Sequence, residues 1–282
     1  MCLYLIMNKA FMKISNILSR RNRILLRELV VTDFKLRYQG SVLGYLWSLL
    51  KPLMLFAIMY VVFVRFLRFG AGIEHFAVTF LFGIVLWTFF VEATSQGMQA
   101  IVARGDLIRK ISFPKYIIVI SGTISALINL LLNMVVVIVF MVIDGVSFTW
   151  WALLTPLVLV ELYVLALGVA FFLATAYVKY RDMSHIWDVL LQGVFYATPV
   201  FYPIQMVMQY SFVAAQALML SPIAVIIQDA RYFLVSQKDV VTNYQIIDNP
   251  FLLALPHVIV VSVALVAAYY FAKNQKYFAE NV

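Results

Sequence analysis

The chain reads as an all-α polytopic membrane protein with six transmembrane helices, and three observations carry that reading. Of its 282 residues, 65% are hydrophobic and 12% charged, with a mean hydropathy of +0.97, whereas a soluble domain carries about 25% charged residues. The apolar residues fall in runs close to the roughly 20 that a helix needs to cross ~30 Å of hydrocarbon. The charges between those runs are sorted: 17 of the 21 Lys and Arg lie on one side of a six-span arrangement, as the positive-inside rule requires of cytoplasmic loops.

Residues 1–42 form a cytoplasmic N-terminal segment. Its opening CLYLIM run is six residues long and precedes Lys9, the wrong length and order for a signal peptide, which places a basic region before its apolar core. Met7 is an alternative start to Met1. Over 16–38 the sequence is basic and helix-permissive. At 100° per residue its apolar side chains form two stripes, Leu25/Leu29/Leu36 and Ile24/Val31/Phe34/Tyr38, separated by Glu28/Thr32/Lys35 and by Asp33/Arg37. A helix with two apolar stripes touches two things. One reading is an interfacial anchor on anionic lipid; the other is a helix wedged between the membrane and a protein partner.

The remaining chain, 43–282, is a single transmembrane domain. The first span is expected at about 43–64, with Lys51 and Pro52 in its first turns, where a lysine can snorkel to the interface. A second at 76–99 contains Glu92. The third, 116–143, carries Asn129 and Asn133 at i,i+4 spacing, so both amides share a face and point into protein. Asp144-Gly145 makes a turn. The fourth, 150–178, opens on a tryptophan pair of the interfacial aromatic belt and carries Glu161. A fifth, 186–203, runs into ATPVFYP, where Pro199 and Pro203 remove backbone donors and break a helix. The stretches 204–220 and 222–235 are short and hold Gln209, Ser211, Gln216, Gln228, Asp229 and Arg231. They read as re-entrant half-helices, which a bilayer tolerates where protein or water covers the backbone. Residues 238–250 form a polar loop, and a last span covers 251–272. Both termini then lie inside, leaving Arg65, Arg68, Arg231 and Lys238 outside. Taking the half-helices as full spans leaves this parity unchanged.

Between spans two and three lies RGDLIRKISFPKY (104–116). Lipid would reject this charged island, each charge at the bilayer centre costing about 2.5–3.5 kcal/mol on insertion scales. It is therefore a loop in water with a partner or a task.

Several chemistries drop out. Cys2 is the lone cysteine, which excludes an internal disulfide, and His75, His185 and His257 have no metal-binding spacing. No Gly is followed by Lys, so the chain lacks a phosphate-binding P-loop and energy for any work arrives from elsewhere. The net charge of +8 is accounted for by membrane topology, not by nucleic acid. Glu92 and Glu161, inside spans, are functional candidates by default, with structural pairing or pore lining favoured over a proton relay that needs more partners. Phe195, Tyr196, Phe201 and Tyr202 gather at the proline break, where aromatic faces suit the C–H surfaces of sugar rings.

Taken together, the amphipathic start with LRYQGSVLGYLWSLLKPL (36–53), GDLIRKISFPK (105–115), YRDMSHIW (180–187), PVFYPI (199–204) and SPIAVIIQDARY (221–232) resemble the permease subunits of type II ABC exporters for O-antigen, capsule and wall teichoic acid. The resemblance implies that the island is a coupling helix, with Gly105, Asp106, Leu107, Ile108, Arg109 and Lys110 docking on a separate P-loop ATPase. It also implies that 16–38 is an interface helix and that 204–235 holds outer gate helices. Two permeases would assemble with two ATPases in a bacterial inner membrane, around a glycan channel lined by Phe195, Tyr196, Phe201, Tyr202 and Glu92. No cofactor is expected in this chain, ATP and Mg being used by the ATPase. The implied substrate is a polysaccharide on undecaprenyl diphosphate. Its anionic diphosphate needs charge-assisted contacts near the cytoplasmic leaflet, where Lys35, Arg37 and Lys51 cluster; positive-inside placement explains the same three residues. A proton-coupled lipid or sugar flippase and a type II ABC permease for drugs or small lipids are the alternatives. A membrane-embedded transferase is disfavoured because the aqueous loops hold no acid, base or metal constellation.

Overall fold

The computed structural model describes residues 19–38, 44–68, 70 and 72–281, and every regular element among them is a helix. Helix α1 is Arg20–Tyr38. Helix α2, Trp47–Phe66, continues as a π-helix from Tyr60, with Leu67 N–H donating to the Val62 carbonyl. It starts later than the expected residue 43, behind a 3-10 turn at Gly44–Leu46. Helix α3 is Phe76–Ala103, α4 the six residues Gly105–Lys110, and α5 Tyr116–Ile143, which ends at the Asp144-Gly145 turn with Gly145 at φ 75°. Helix α6, Thr155–Lys179, follows a 3-10 turn at Trp150–Leu154.

The next segments depart from the expected bounds. Helix α7, Met183–Ala197, has 15 residues, about 22 Å at 1.5 Å per residue, and stops at Thr198 in place of reaching 203. The backbone is extended at Thr198 and Pro203, and the prolines cannot supply the missing donors. The expected half-helix 204–220 is two helices, α8 (Ile204–Tyr210) and α9 (Phe212–Leu218). Ser211 separates them in an extended conformation, its hydroxyl accepting from Ala214 N–H at 3.2 Å as an N-cap. Helix α10 is Pro222–Leu234, and the polar loop after it holds a one-turn helix α11, Asn243–Ile246, closed by a capping box from Thr242 and Gln245. Helix α12 is Pro250–Asn274, and α13, Phe278–Asn281, follows a 3-10 turn.

Among the described residues, five helices are long and apolar enough to cross a membrane: Trp47–Phe66, Phe76–Ala103, Tyr116–Ile143, Trp150–Lys179 and Pro250–Asn281. Helices α9 and α10 meet the same measure only together and are bent by 95° at their junction, which makes a sixth crossing if the pair is one broken span. Helix α3 is central. Its most apolar stretch is 72% buried against 11% for α2, which places α2 at the periphery. Helices α5 and α6 flank α3, α12 packs on α6, and α1 lies across α5. Small residues permit close approaches, Gly97 of α3 against Ala170 of α6 and Gly168 of α6 against Ala264 of α12.

The ends of the bundle differ. One, the basic end, gathers α1, α4, the start of α5 and the ends of α6 and α12 around Leu29, Ile101, Ile108, Ile117, Val178, Phe271 and Phe278. The opposite end holds the 198–203 break and a separate small core from α8 to α11.

Candidate functional site

At the basic end α4 presents two unlike faces. Ile108 is 6% exposed and seats the helix in the apolar cluster, with Leu107 half-buried against it, whereas Asp106, Arg109, Lys110 and Ile111 are exposed. The six residues expected to couple therefore divide. Leu107 and Ile108 fix the helix, Asp106, Arg109 and Lys110 form its free surface, and Gly105 is half-buried at its start. Beside them runs a polar groove of about 380 Å³ lined by Arg109, Lys110, Ser112, Phe113 and Lys115.

Behind α4 stands a brace that the sequence did not disclose. Phe278 of α13 is 2% exposed and packs edge-on to Phe271 with ring centroids 5.2 Å apart. Lys115 donates to the Gln275 carbonyl at 2.6 Å, and its ammonium also lies 5.8 Å from the Phe278 ring. Burial holds the Lys115 pKa below its ordinary value, outweighing the opposing attraction of Glu280. Arg181, from the loop after α6, donates to the Asn281 carbonyl at 3.4 Å. Residues 275–281 thus tie the α4 loop to the 179–182 loop. An aromatic at 278, seven residues beyond Phe271 and so on the same helical face, is the signal that would have found this.

A second polar region follows α3. Arg104 pairs with Asp33 of α1 and donates to Ser121 Oγ of α5 at 2.9 Å, joining three elements at the mouth of a cavity of about 230 Å³ that Gln96 and Gln99 also line. Gln96 is shared with a groove of about 410 Å³ between α2 and α3, whose wall includes Ser48, Lys51, Glu92 and Ser95. Asn129 donates to Glu92 Oε2 at 3.0 Å, and Asn133 donates to the carbonyls of Ser48 at 3.1 Å and Asn129 at 2.8 Å. The inward amide face inferred from the i,i+4 spacing is thus a lock between α2, α3 and α5. Of the three cations expected to meet a diphosphate, Lys51 lines this groove and Lys35 is exposed on α1. Arg37 lies in the last turn of α1, and its side chain is outside the described residues.

Helix α1 turns its Leu25/Leu29 stripe to the basic-end cluster and leaves Ile24 and Val31 exposed. Leu36, Phe34 and Tyr38, which complete the two expected stripes, have side chains outside the described residues.

At the opposite end the aromatics named from sequence do come together. Ring centroids are 5.4 Å apart for Phe195–Tyr196 and Phe195–Phe201, and 5.0 Å for Phe201–Tyr202. Phe201 also meets Phe63 of α2 at 4.8 Å, and Phe195 meets Trp87 of α3 at 5.5 Å. Tyr196 is 65% exposed, whereas Phe201 is buried and packs the break. Tyr202 donates to the Tyr196 carbonyl at 3.2 Å, closing the turn on itself. Glu92 is not part of this cluster; it belongs to the groove with Lys51. Glu161, the second carboxylate singled out from sequence, lies 2.6 Å from His257 Nδ1 of α12.

The family model for the ABC-2 type transporter matches residues 24–235. The O-antigen export system permease protein RfbA of Myxococcus xanthus is 30% identical over 260 residues, which cover 92% of this chain and 96% of that protein. A permease of the same name from Klebsiella pneumoniae is 28% identical over 178 residues, 62% of this chain and 67% of its own.

Proposed function

Because the chain belongs to the ABC-2 type transporter family, we propose that it is the channel-forming permease of an ATP-driven exporter that carries a polysaccharide, O-antigen foremost, outward across the bacterial inner membrane. Relatives named for O-antigen export match over most of the chain, and they favour that polymer over capsule or teichoic acid. The carrier in this reading is undecaprenyl diphosphate, met on the cytoplasmic side by Lys51 in its groove with Lys35 and Arg37 near the foot of α2.

The observation that carries the reading is α4, a six-residue helix fastened by Ile108 with Asp106, Arg109 and Lys110 turned outward. Such a helix offers a partner a rigid charged surface, and a chain without a P-loop needs a partner to supply ATP hydrolysis. The basic end is then cytoplasmic, with N-in and C-in topology. Helix α7 counts as the fifth of six spans, and α8 to α10 are re-entrant gate helices on the outer side. Two copies of the chain flank the glycan path, and two ATPase subunits, which hold ATP and Mg, dock beneath. The pairings of Glu92 with Asn129 and of Glu161 with His257 support structural roles over a proton relay, and this subunit performs no covalent chemistry.

The test replaces Asp106, Arg109 and Lys110 together by Ala. The variant is expected to insert in the membrane at wild-type level, to lose co-purification with the ATPase and to export no glycan to the cell surface. Normal export by that variant refutes the assignment.

A further inference from the structure

Among the described residues, the side chain with the most hydrogen bonds is a buried cation that the proposed function leaves unused. Arg231 of α10 is 3% exposed. Its Nε donates to the Thr79 carbonyl at 3.0 Å, one terminal nitrogen donates to the Pro199 carbonyl at 2.6 Å and to Gln228 Oε1 at 2.9 Å, and the other donates to the Val200 carbonyl. No described carboxylate forms an ion pair with it. Asp229, two residues earlier, lies on another face of the helix, because i,i+2 neighbours diverge by about 200°.

The partners explain why an arginine sits there. Residues 198–203 leave the helical path, so their carbonyls lack the donors that a continuing helix would supply, and an unsatisfied carbonyl within a membrane protein is costly. A guanidinium offers five N–H donors in a fixed planar fork. Here it satisfies two consecutive carbonyls of the break while its Nε reaches the first turn of α3. Gly83 makes the seat, since a Cβ at that position would overlap the Arg231 guanidinium. Gln228, one turn back on α10, holds the fork from the fourth side and is itself tied to the Val241 carbonyl.

We propose that Arg231 is the latch of the outer gate, a positioning residue whose guanidinium clamps the 198–203 break onto α3 at rest and lets go when the mouth opens. The inference rests on reading α8 to α10 as a gate. It follows from what moves with the clamped carbonyls. Val200 precedes Phe201, whose ring is held between Phe63 of α2, Phe195 of α7 and Tyr202. Any shift of the break therefore carries the aromatic cluster and the exposed Tyr196 with it. Hydrogen bonds from a charged donor to backbone carbonyls are strong yet reversible, which suits an element with two discrete positions.

The test uses the complete permease–ATPase complex in liposomes of bacterial polar lipid, with passive potassium flux in the absence of ATP as the readout and surface polysaccharide scored in cells. Arg231→Gln removes the fork, and Gly83→Ala unseats it while leaving the arginine in place. Losing even one charge-assisted bond shifts a two-state equilibrium about ten- to a hundredfold, so each variant is expected to raise resting flux at least about tenfold, and Arg231→Gln, which loses the whole fork, the more of the two. The double variant should leak no more than Arg231→Gln alone, because both act through one seat. Arg231→Lys, able to reach some of the carbonyls, should fall between. Wild-type flux and export in both single variants overturn the latch, as do effects that simply add. Should Arg231→Gln fail to assemble, Gly83→Ala carries the test, and failure of every variant to assemble leaves Arg231 a folding residue and the latch refuted. A wild-type complex that exports no glycan but whose flux responds to these variants refutes the proposed function and keeps the latch.

Discussion

Ile108→Ala is the substitution that best separates the seat of the α4 helix from its outward face. A helix of six residues is far below the roughly 12–15 needed for marginal stability on its own, so packing must hold it. Ile108, 6% exposed, is the fully buried anchor that α4 contributes to a cluster with Leu29, Ile101, Ile117, Val178 and Phe278. Truncating a buried Ile to Ala costs about 2–5 kcal/mol. At about 1.4 kcal/mol per factor of ten, the ratio of seated to unseated α4 falls about 30-fold at the low end and several-thousandfold at the high end. The long spans do not depend on this contact, so the protein should still insert and purify. Hydrogen–deuterium exchange over 105–110 in detergent measures the seat directly. Protection should be lost with Ile108→Ala, and ATPase co-purification with it, whereas the Asp106/Arg109/Lys110 triple Ala variant should keep its protection and still lose the ATPase. If Ile108→Ala shows wild-type protection and docking, the helix is not held as described and the reasoning fails.

Two further outcomes are expected. Phe278→Ala, removing a ring that is 2% exposed, should cost about 3–5 kcal/mol, lower the apparent melting temperature of the detergent-solubilised complex and weaken ATPase stimulation, with Phe278→Leu recovering most of both. Gln at Glu92 and at Glu161 keeps an oxygen that can accept from Asn129 or from a His257 N–H. Export by both variants should therefore stay near wild type with an unshifted pH profile, and loss of export with a displaced profile would instead favour the proton-coupled alternative.

Much of the fold was legible because the bilayer imposes a coarse code of length and polarity. The long spans, the charged island and the shared face of Asn129 and Asn133 each follow from a local period or from a charge that lipid would refuse. What stayed hidden depends on distance in sequence. Arg231 reads as one outer charge among four, and nothing local reveals that Thr79, 152 residues away, and Pro199 supply its acceptors. The Glu161–His257 pair spans 96 positions. Helix α7 was overdrawn because its apolar character continues through the prolines while its backbone hydrogen bonds do not. Ser211 split the next segment for the opposite reason, as an N-cap looks like any polar residue until its backbone extends. At the site, sequence named the whole of 105–110 as one set, and only packing distinguishes Ile108, which holds, from Arg109, which faces out.

The brace of residues 275–281 bears on how the molecule is made. These residues emerge from the ribosome after α12, yet Phe278 and Gln275 complete the support beneath α4, which was synthesised more than 160 positions earlier. Before 275–281 are made, α4 lacks the Phe278 packing and the Lys115–Gln275 hydrogen bond that stiffen its loop. On the proposed function, the surface offered to the ATPase is therefore completed only after α12 has been made, so its stiffness depends on the far end of the described chain.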